Sequence, residues 1–301
     1  DILELGAGAG DLAADLLDGL KAAACLPGRY LILEPGPELR ERQRELLQAR
    51  HPDLMDRIRW LHDLPPGFSG VLVANEVLDA LPVHRFQVRE EGAVAEILVK
   101  PRGVGWEEVG AEPRSQGLTE AVQALWAQGL AQKPGYASEI NLRLGPWIHA
   151  LAASMDHGLM LLIDYGYDRA DYYRPERGMG TLMCHYRHQA HGDPYVHLGL
   201  QDITAHVDFS AAASAGRVAG LAVAGFTTQA HFLIALGLDD LLAERMSGDP
   251  GTTEGDLKWL LGAKQLLMPS AMGERFRVLG LAKDLGRTWT GFSLRDLRGL
   301  F

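Results

Sequence analysis

The sequence predicts an α/β fold built on a mostly parallel sheet with helices on both faces, and three observations predict it. Within the first 75 residues, short apolar runs alternate with stretches carrying apolar residues at helical spacing. A glycine-rich turn joins the first run directly to the first helical stretch. Two further apolar runs, Leu159-Met160-Leu161-Leu162-Ile163 and Phe276 to Ala282, supply strands much later in the chain. Strand and helix in alternation, with short turns between them, is the pattern of crossover connections between parallel strands.

Taken in order, Ile2-Leu3-Glu4-Leu5 reads as a buried strand ending in the glycine turn. Asp11 to Ala24 places Leu12, Leu16, Leu17 and Leu20 on one helical face, with Asp11 in the position of an N-cap. Tyr30-Leu31-Ile32-Leu33 is a second strand, closed by Glu34-Pro35-Gly36-Pro37, and Glu38 to Arg50 a charged amphipathic helix. Arg57 to Leu61 and Val71 to Ala74 read as the third and fourth strands. The pattern then changes. Residues 86–99 predict a hairpin around Glu91-Gly92, 101–117 a surface excursion rich in Gly, Pro and Glu, and Leu118 to Gln132 and Leu144 to Met155 helices. After the strand ending at Asp164, residues to about Gly199 form a polar, aromatic stretch without periodicity, and a loop of that length is usually functional. Ser210 to Ala219 and Asp239 to Met246 suit helices, and Leu221 to Phe226 a strand. This predicts one domain from 1–83 and 158–301, interrupted after its fourth strand by an inserted substrate- or partner-binding subdomain over 84–157.

Composition excludes several classes. With 47% hydrophobic and 23% charged residues the 301-residue chain is globular, not disordered. Its 29 Lys and Arg stand against 39 Asp and Glu, a net charge of −10, which argues against affinity for a phosphate backbone. Two cysteines, Cys25 and Cys184, are too few for a disulfide framework or a Cys-rich zinc site. Cysteine this sparse fits a reducing compartment. No apolar run reaches the roughly 20 residues of a membrane span. The start at Asp1 reads as a piece beginning inside a strand. Of the 11 histidines, His185, His188 and His191 are spaced in threes but lack a carboxylate or thiolate partner, and no metal is expected.

Glu4-Leu5-Gly6-Ala7-Gly8-Ala9-Gly10-Asp11 is the sharpest local signal. Its glycines permit a tight turn and let backbone N–H groups approach a ligand, and the helix start behind them favours a negative group. Glu34 closes the second strand, where a carboxylate can accept both hydroxyls of a ribose. Together they predict an adenosine-type cofactor. A dinucleotide fingerprint requires G-x-G-x-x-G, whereas this loop reads G-x-G-x-G and carries Asp11 where the third glycine would stand. An acid suits the amino group of a methionine moiety better than a pyrophosphate, so S-adenosyl-L-methionine is favoured over NAD. Asp63 reads either as a contact to the adenine amino group or as a turn residue before Pro65-Pro66.

The segment Val73-Ala74-Asn75-Glu76-Val77-Leu78-Asp79-Ala80-Leu81-Pro82-Val83 is more specific. With Glu4 to Gly10, Leu33 to Arg40, Tyr136 to Asn141, Ile163 to Tyr167, Gly180-Thr181-Leu182 with His188, Gln201 to Phe209 and Thr228 to Leu233, it resembles the MidA-like family of S-adenosylmethionine-dependent methyltransferases. That family includes the mitochondrial complex I assembly factor that acts as a protein arginine methyltransferase. The chain departs from relatives in carrying Ala7 where they often have Pro, and in lacking the helical region that precedes their first strand.

The resemblance implies a class I methyltransferase Rossmann-like fold and methylation of arginine side chains on a protein substrate. The alternatives are a different acceptor, or a non-catalytic scaffold that keeps the fold. A guanidinium is protonated at neutral pH, so carboxylates must orient it and accept a proton as the N–C bond forms. Asn75 and Glu76, at the mouth of the fourth strand, have the best geometric claim. Asp79 stands three residues on, where it can share a helical face with Glu76 or serve as a turn residue. Glu139 rests on the resemblance. Asp164 and Tyr165 close the fifth strand toward the crevice, and Tyr165 reads equally as a core aromatic. His206 lies in Asp202 to Asp208, whose alternating polar residues line one face if extended, toward substrate or toward solvent.

Overall fold

The apolar runs of the first 75 residues become adjacent parallel strands. A computed structural model describes residues 1–187, 189–247 and 254–301. In chain order the elements are β1 (Ile2–Leu5), α1 (Asp11–Ala22), β2 (Tyr30–Leu33), α2 (Pro37–Arg50), β3 (Ile58–Leu61), β4 (Phe68–Asn75) and the antiparallel strands β5 (His84–Val88), β6 (Val94–Arg102) and β7 (Gly105–Ala111). Then follow α3 (Leu118–Trp126), β8 (Ala137–Ile140), α4 (Leu144–Ser154), β9 (Met155–Tyr167), α5 (Arg169–Tyr172), β10 (Met183–Tyr186), β11 (Gln189–His191), β12 (Asp202–Thr204) and β13 (Val207–Asp208). The chain closes with α6 (Phe209–Val218), β14 (Ala222–Thr228), α7 (Gln229–Ala235), α8 (Leu238–Ser247), α9 (Glu254–Leu267) and β15 (Phe276–Lys283).

Two compact units result: residues 1–77, 148–165 and 213–301 form the first, and 78–147 with 166–212 the second. The sequence expectation placed the boundaries at 84–157. In the structure 148–157 belongs to the first unit, while 166–212 joins the second.

The first unit carries a sheet of order β14-β15-β9-β4-β1-β2-β3. Only β15 runs against its neighbours; the β9–β4, β4–β1, β1–β2 and β2–β3 pairs are parallel. Strands buried on both faces lose the period-two alternation, which is why β2 reads as an unbroken apolar run and β1 is interrupted only by the buried Glu4. Leu17 of α1 and Leu47 of α2 are buried with Tyr30, Ile32 and Ile58. In the second unit a sheet of order β7-β6-β5-β8 buries Phe86 and Val88 with Leu118, Val122 and Leu125 of α3. A smaller sheet of order β11-β10-β12 follows in the chain.

Several expectations are corrected. Asp11 does not cap α1; Gly10 does, at φ 97°, and Asp11 is the first helical residue. The Gly10 carbonyl already accepts the Ala14 N–H at 3.0 Å, so the helix starts one residue before an Asp cap could act. The excursion at 101–117 contains β7, an edge strand paired along its length with β6 and exposed or half-buried throughout. It carries no apolar stripe because little of it faces a core. α3 stops at Trp126 instead of reaching Gln132, since Gly129 turns left-handed at φ 77°. The stretch after Asp164 holds α5 and the strands β10 and β11. Asp202 to Asp208 is not one extended run: 202–204 pairs with β10, 207–208 pairs with β9, and Asp202 is exposed while Thr204 is buried. α7 and α9 were not anticipated.

Phe292 is buried against backbone that has no side chain in its way. A Cβ built at Gly225 of β14 or at Gly280 of β15 would overlap or crowd its ring. Gly225→Ala should therefore lower unfolding stability by about 1–3 kcal/mol through overpacking. Urea unfolding followed by circular dichroism measures the shift in midpoint.

Candidate functional site

In open parallel sheets the crevice that takes a ligand lies beyond the carboxyl ends of the strands. The register places four such ends side by side in the first unit: Leu5 pairs with Leu33 and with Ala74, and Asn75 with Ile163. The residues that follow β1, β2, β4 and the core of β9 are therefore the glycine loop, Glu34, Glu76 and Asp164. Asp63 follows β3, whose Leu61 pairs with Leu33.

The loop needs its glycines. Gly6, Gly8 and Gly10 all have positive φ, at 63°, 53° and 97°. L-residues adopt this region only at a cost of about 1–2 kcal/mol each. Gly6 and Gly8 are exposed, and a Cβ at Gly8 would meet nothing within 4 Å. Gly10 is buried, and a Cβ there would lie 3.2 Å from Gln43 Cα. The outer part of the turn thus presents bare backbone to open space, as a nucleoside-type ligand requires, while its inner end is packed.

Glu34 is buried, and its Oε1 accepts the Gly36 N–H at 2.9 Å. Arg40, one turn into α2, donates Nη2 to the Leu61 carbonyl at 2.6 Å and Nε to the Glu34 carbonyl. It thereby ties the carboxyl ends of β2 and β3 together. Asp63 is exposed. Glu4 lies within β1 and is buried; its Oε2 accepts the Tyr30 hydroxyl at 2.7 Å. Burial pushes its carboxyl up to about 7, with the Tyr30 bond working the other way. Burial, aided by Glu4, likewise drives the Tyr30 hydroxyl far above its usual range.

Asn75 is half-buried, and its Nδ2 donates to Glu76 Oε1 at 3.3 Å. Glu76 is exposed and sits at φ 51°, left-handed without being glycine. Its N–H donates to the Ile163 carbonyl at 2.9 Å. Asp164 is fully buried and accepts the Tyr165 N–H at 2.9 Å. Tyr165 packs edge-on against Phe276, with ring centroids 5.5 Å apart.

The remaining candidates belong to the second unit. Residues 78–81 form a turn, not the helix that would put Asp79 on one face with Glu76. Asp79 is buried, and its carbonyl accepts the Ala205 N–H at 3.0 Å. Glu139 is only 1% exposed, and burial raises its carboxyl above the ordinary range. Glu139 Oε2 accepts the Thr181 N–H at 2.9 Å and lies 3.3 Å from the Thr181 hydroxyl. A Cβ at Gly180 would overlap that carboxylate, so the close approach requires glycine. The Thr181 hydroxyl accepts the His206 N–H at 3.0 Å, and the His206 ring lies 5.3 Å from Tyr167. His188 lies outside the described residues; His185 and His191 are on neighbouring strands β10 and β11. Among the described residues no three His, Cys, Asp or Glu side chains are grouped to hold a metal ion.

Sequence reading assigned nothing to Tyr30, Arg40 or Gln43. Gln43 was the most accessible of these: it is an uncharged polar residue inside an Arg- and Glu-rich helix, at a position that turns out to be wholly buried.

A parallel sheet with one reversed strand near its edge, a G-x-G-x-G turn and an acid ending β2 define an S-adenosylmethionine-dependent methyltransferase of class I. Residues 1–227 match the family described as "Putative S-adenosyl-L-methionine-dependent methyltransferase", and the chain belongs to the MidA-like family of these enzymes. It is similar to a methyltransferase candidate from Burkholderia thailandensis crystallised with S-adenosyl-homocysteine, at 38% identity, covering 100% of this chain and 76% of that one with a TM-score of 0.92. It is 30% identical to the zebrafish (Danio rerio) mitochondrial protein arginine methyltransferase NDUFAF7 over 92% of this chain and 67% of that protein. With the rat (Rattus norvegicus) NDUFAF7 it shares 32% identity over 74% of this chain and 48% of that protein. The chain thus spans about two thirds of the length of the first of these curated relatives and about half of the second.

Glu4 makes the first unit's stability depend on pH. A carboxyl at about 7 when folded, against 4.5 ordinarily, keeps its proton in the fold where the unfolded chain has lost it. Stability is therefore complete below pH 4.5 and falls as pH rises to about 7, by about 3 kcal/mol in all. Glu4→Gln should abolish that fall. Urea unfolding of both proteins at several pH values measures it as a wild-type minus variant difference that changes sign-consistently across the window.

Proposed function

We infer that the chain methylates arginine side chains of a protein substrate. The observation that carries the reading is the Asn75–Glu76 pair beyond the carboxyl end of β4, beside the glycine loop's strand in the sheet. The curated relatives that are named protein arginine methyltransferases support the choice of arginine. Gly6, Gly8, Gly10, Glu34, Asp63 and Asn75 are the residues we assign to cofactor binding, and the open face of the turn at Gly8 fits an adenosyl group, whereas Glu4, buried and bonded to Tyr30, is assigned to holding β1 to β2.

S-adenosylmethionine, when bound, supplies a methyl group activated by its sulfonium. The protein's task is to align the acceptor nitrogen with that methyl and exclude water. An arginine arrives as a cation with pKa above 12. Glu76, exposed at the strand end, is assigned to hold the guanidinium and take its proton, with Asn75 orienting the carboxylate through the 3.3 Å bond. Asp79, buried and in the second unit, is given no part in that contact.

Glu139 is buried and bound to Thr181, so its assigned role changes from contact with the guanidinium to holding the Thr181–His206 segment. Asp164 and Tyr165 of the first unit and His206 of the second are each assigned to substrate, and the second unit, 78–147 with 166–212, to substrate or partner binding.

The reading is tested by incubating the protein with labelled S-adenosylmethionine and cell lysate, then locating label by mass spectrometry. Label is expected on arginine, and Glu76→Ala is expected to lower transfer about a hundredfold or more, as loss of a proton acceptor does. Label on lysine or on a small molecule would assign a different acceptor. Absence of label would favour a scaffold that retains the fold.

A further inference from the structure

Half of the fourteen residues of α2 are charged, and it opens Pro37-Glu38-Leu39-Arg40-Glu41-Arg42-Gln43-Arg44-Glu45. Along its buried face, however, Gln43 and Leu47 are both wholly removed from solvent. Leu47 is an ordinary core residue four positions along the helix. Gln43 is not, because burying an amide is unfavourable unless both of its ends find partners.

Both ends do. Gln43 Nε2 donates to the Gly8 carbonyl at 2.8 Å, and Gln43 Oε1 accepts the Trp60 indole N–H at 2.9 Å. The two partners are chemically opposite. A carbonyl only accepts and an indole N–H only donates, so the amide has a single acceptable orientation. Gln43 also packs against the inner end of the loop, its Cα lying 3.2 Å from where a Cβ on Gly10 would be. Trp60 is held in turn by β3 and by the Arg44 guanidinium, 4.9 Å from the ring centroid.

We propose that Gln43, held by Trp60, is a positioning residue for cofactor binding: it fixes the Gly8 peptide so that the turn keeps its ligand-ready shape before the ligand arrives. The inference rests on the cofactor assignment and is independent of the methyl acceptor. The physical case is one of conformational freedom. A loop whose glycines all occupy the left-handed region is the most mobile kind of backbone, because glycine samples many alternatives. Ordering such a loop on binding consumes affinity, and ordering it beforehand restores that affinity. The outer peptides of the turn must stay bare for ligand, so the restraint has to come from beneath. The Gly8 carbonyl is where it does, through one amide reaching from α2.

Arg40, one turn earlier on α2, performs the matching task for the neighbouring strand ends. It bonds the Glu34 and Leu61 carbonyls at the carboxyl ends of β2 and β3. One helix thus restrains both the turn after β1 and the segment carrying Glu34.

The test is calorimetric titration of the protein with S-adenosyl-homocysteine, well below the unfolding temperature and with folding checked by circular dichroism. Gln43→Leu removes both bonds at nearly constant volume. Gln43→Glu keeps an acceptor for Trp60 but removes the donor to Gly8, and Trp60→Phe removes only the indole donor. Expected are losses of affinity of about tenfold or more for Gln43→Leu and Gln43→Glu and about threefold for Trp60→Phe, in line with the value of a buried hydrogen bond. The double variant Gln43→Leu with Trp60→Phe should bind no more weakly than Gln43→Leu alone, because Trp60 acts through Gln43.

A lower melting temperature with affinity within about twofold of wild type would overturn the proposal and leave Gln43 a stability residue only. Additive losses in the double variant would overturn the coupling to Trp60. Should Gln43→Leu fail to fold, Gln43→Glu and Trp60→Phe carry the same decision. A wild-type protein that binds no S-adenosyl-homocysteine overturns the cofactor assignment itself, a distinct result.

Discussion

The first unit depends on one constraint: the chain must leave β1 and enter α1 through a turn that stays bare on one side and packed on the other. Gly6, Gly8 and Gly10 meet it together, each in the left-handed region. Their surroundings differ, and the differences show what each position does. A Cβ at Gly6 would meet Val77 at 3.1 Å, one at Gly10 would meet α2, and one at Gly8 would meet open space. The flanking glycines are required by the protein's own packing. Gly8 has no such neighbour, so its requirement lies in its backbone conformation and in what approaches from outside.

Much of this was legible in the residues, for a physical reason. β1, β2, β4 and the core of β9 are buried between layers, so each is a run of apolar residues ended by glycine, proline or an acid. The carboxyl ends of parallel strands then bring Gly6, Glu34, Asn75 and Asp164 to one edge of the sheet without further information. What was not legible lies where burial is partial. β7 is an edge strand stitched by charge, with Glu107 paired to Lys100 at 2.7 Å and Glu112, just past its end, to Arg89 at 2.7 Å, and it reads as a polar excursion. β10 to β12 are three- and four-residue strands, too short to show a period. For Asp79 the turn alternative holds, because three-residue spacing signifies a shared face only if a helix is present. Between Glu76 and Leu81 there is none.

Interior carboxyls divide the candidate acids by role. Glu4 and Glu139 are both displaced toward the protonated form, chiefly by burial, and each is held by hydroxyl or amide donors of its own unit. A carboxyl in that condition is a poor partner for an incoming cation, since it has neither full charge nor access. It is a good anchor, because a buried acceptor fixes whatever donates to it. Glu4 fixes Tyr30 at the start of β2, and Glu139 fixes Thr181 and, through its hydroxyl, the backbone at His206. Resemblance had grouped Glu139 with the acids that would touch substrate; its burial separates it from Glu76.

Glu76 presents the opposite case. It is exposed, so its side chain does nothing for a core, yet its backbone holds φ 51°. Glycine would occupy that conformation without the steric cost, which for a side chain with Cβ is about 1–2 kcal/mol. The Glu76 N–H bonded to the Ile163 carbonyl holds the backbone in place whatever the side chain. The glutamate therefore carries a backbone cost that glycine would remove. Strain of this kind persists where the side chain is needed for something other than stability. At the end of β4, bonded to Asn75, an exposed carboxylate is consistent with the proposed contact to a cationic acceptor.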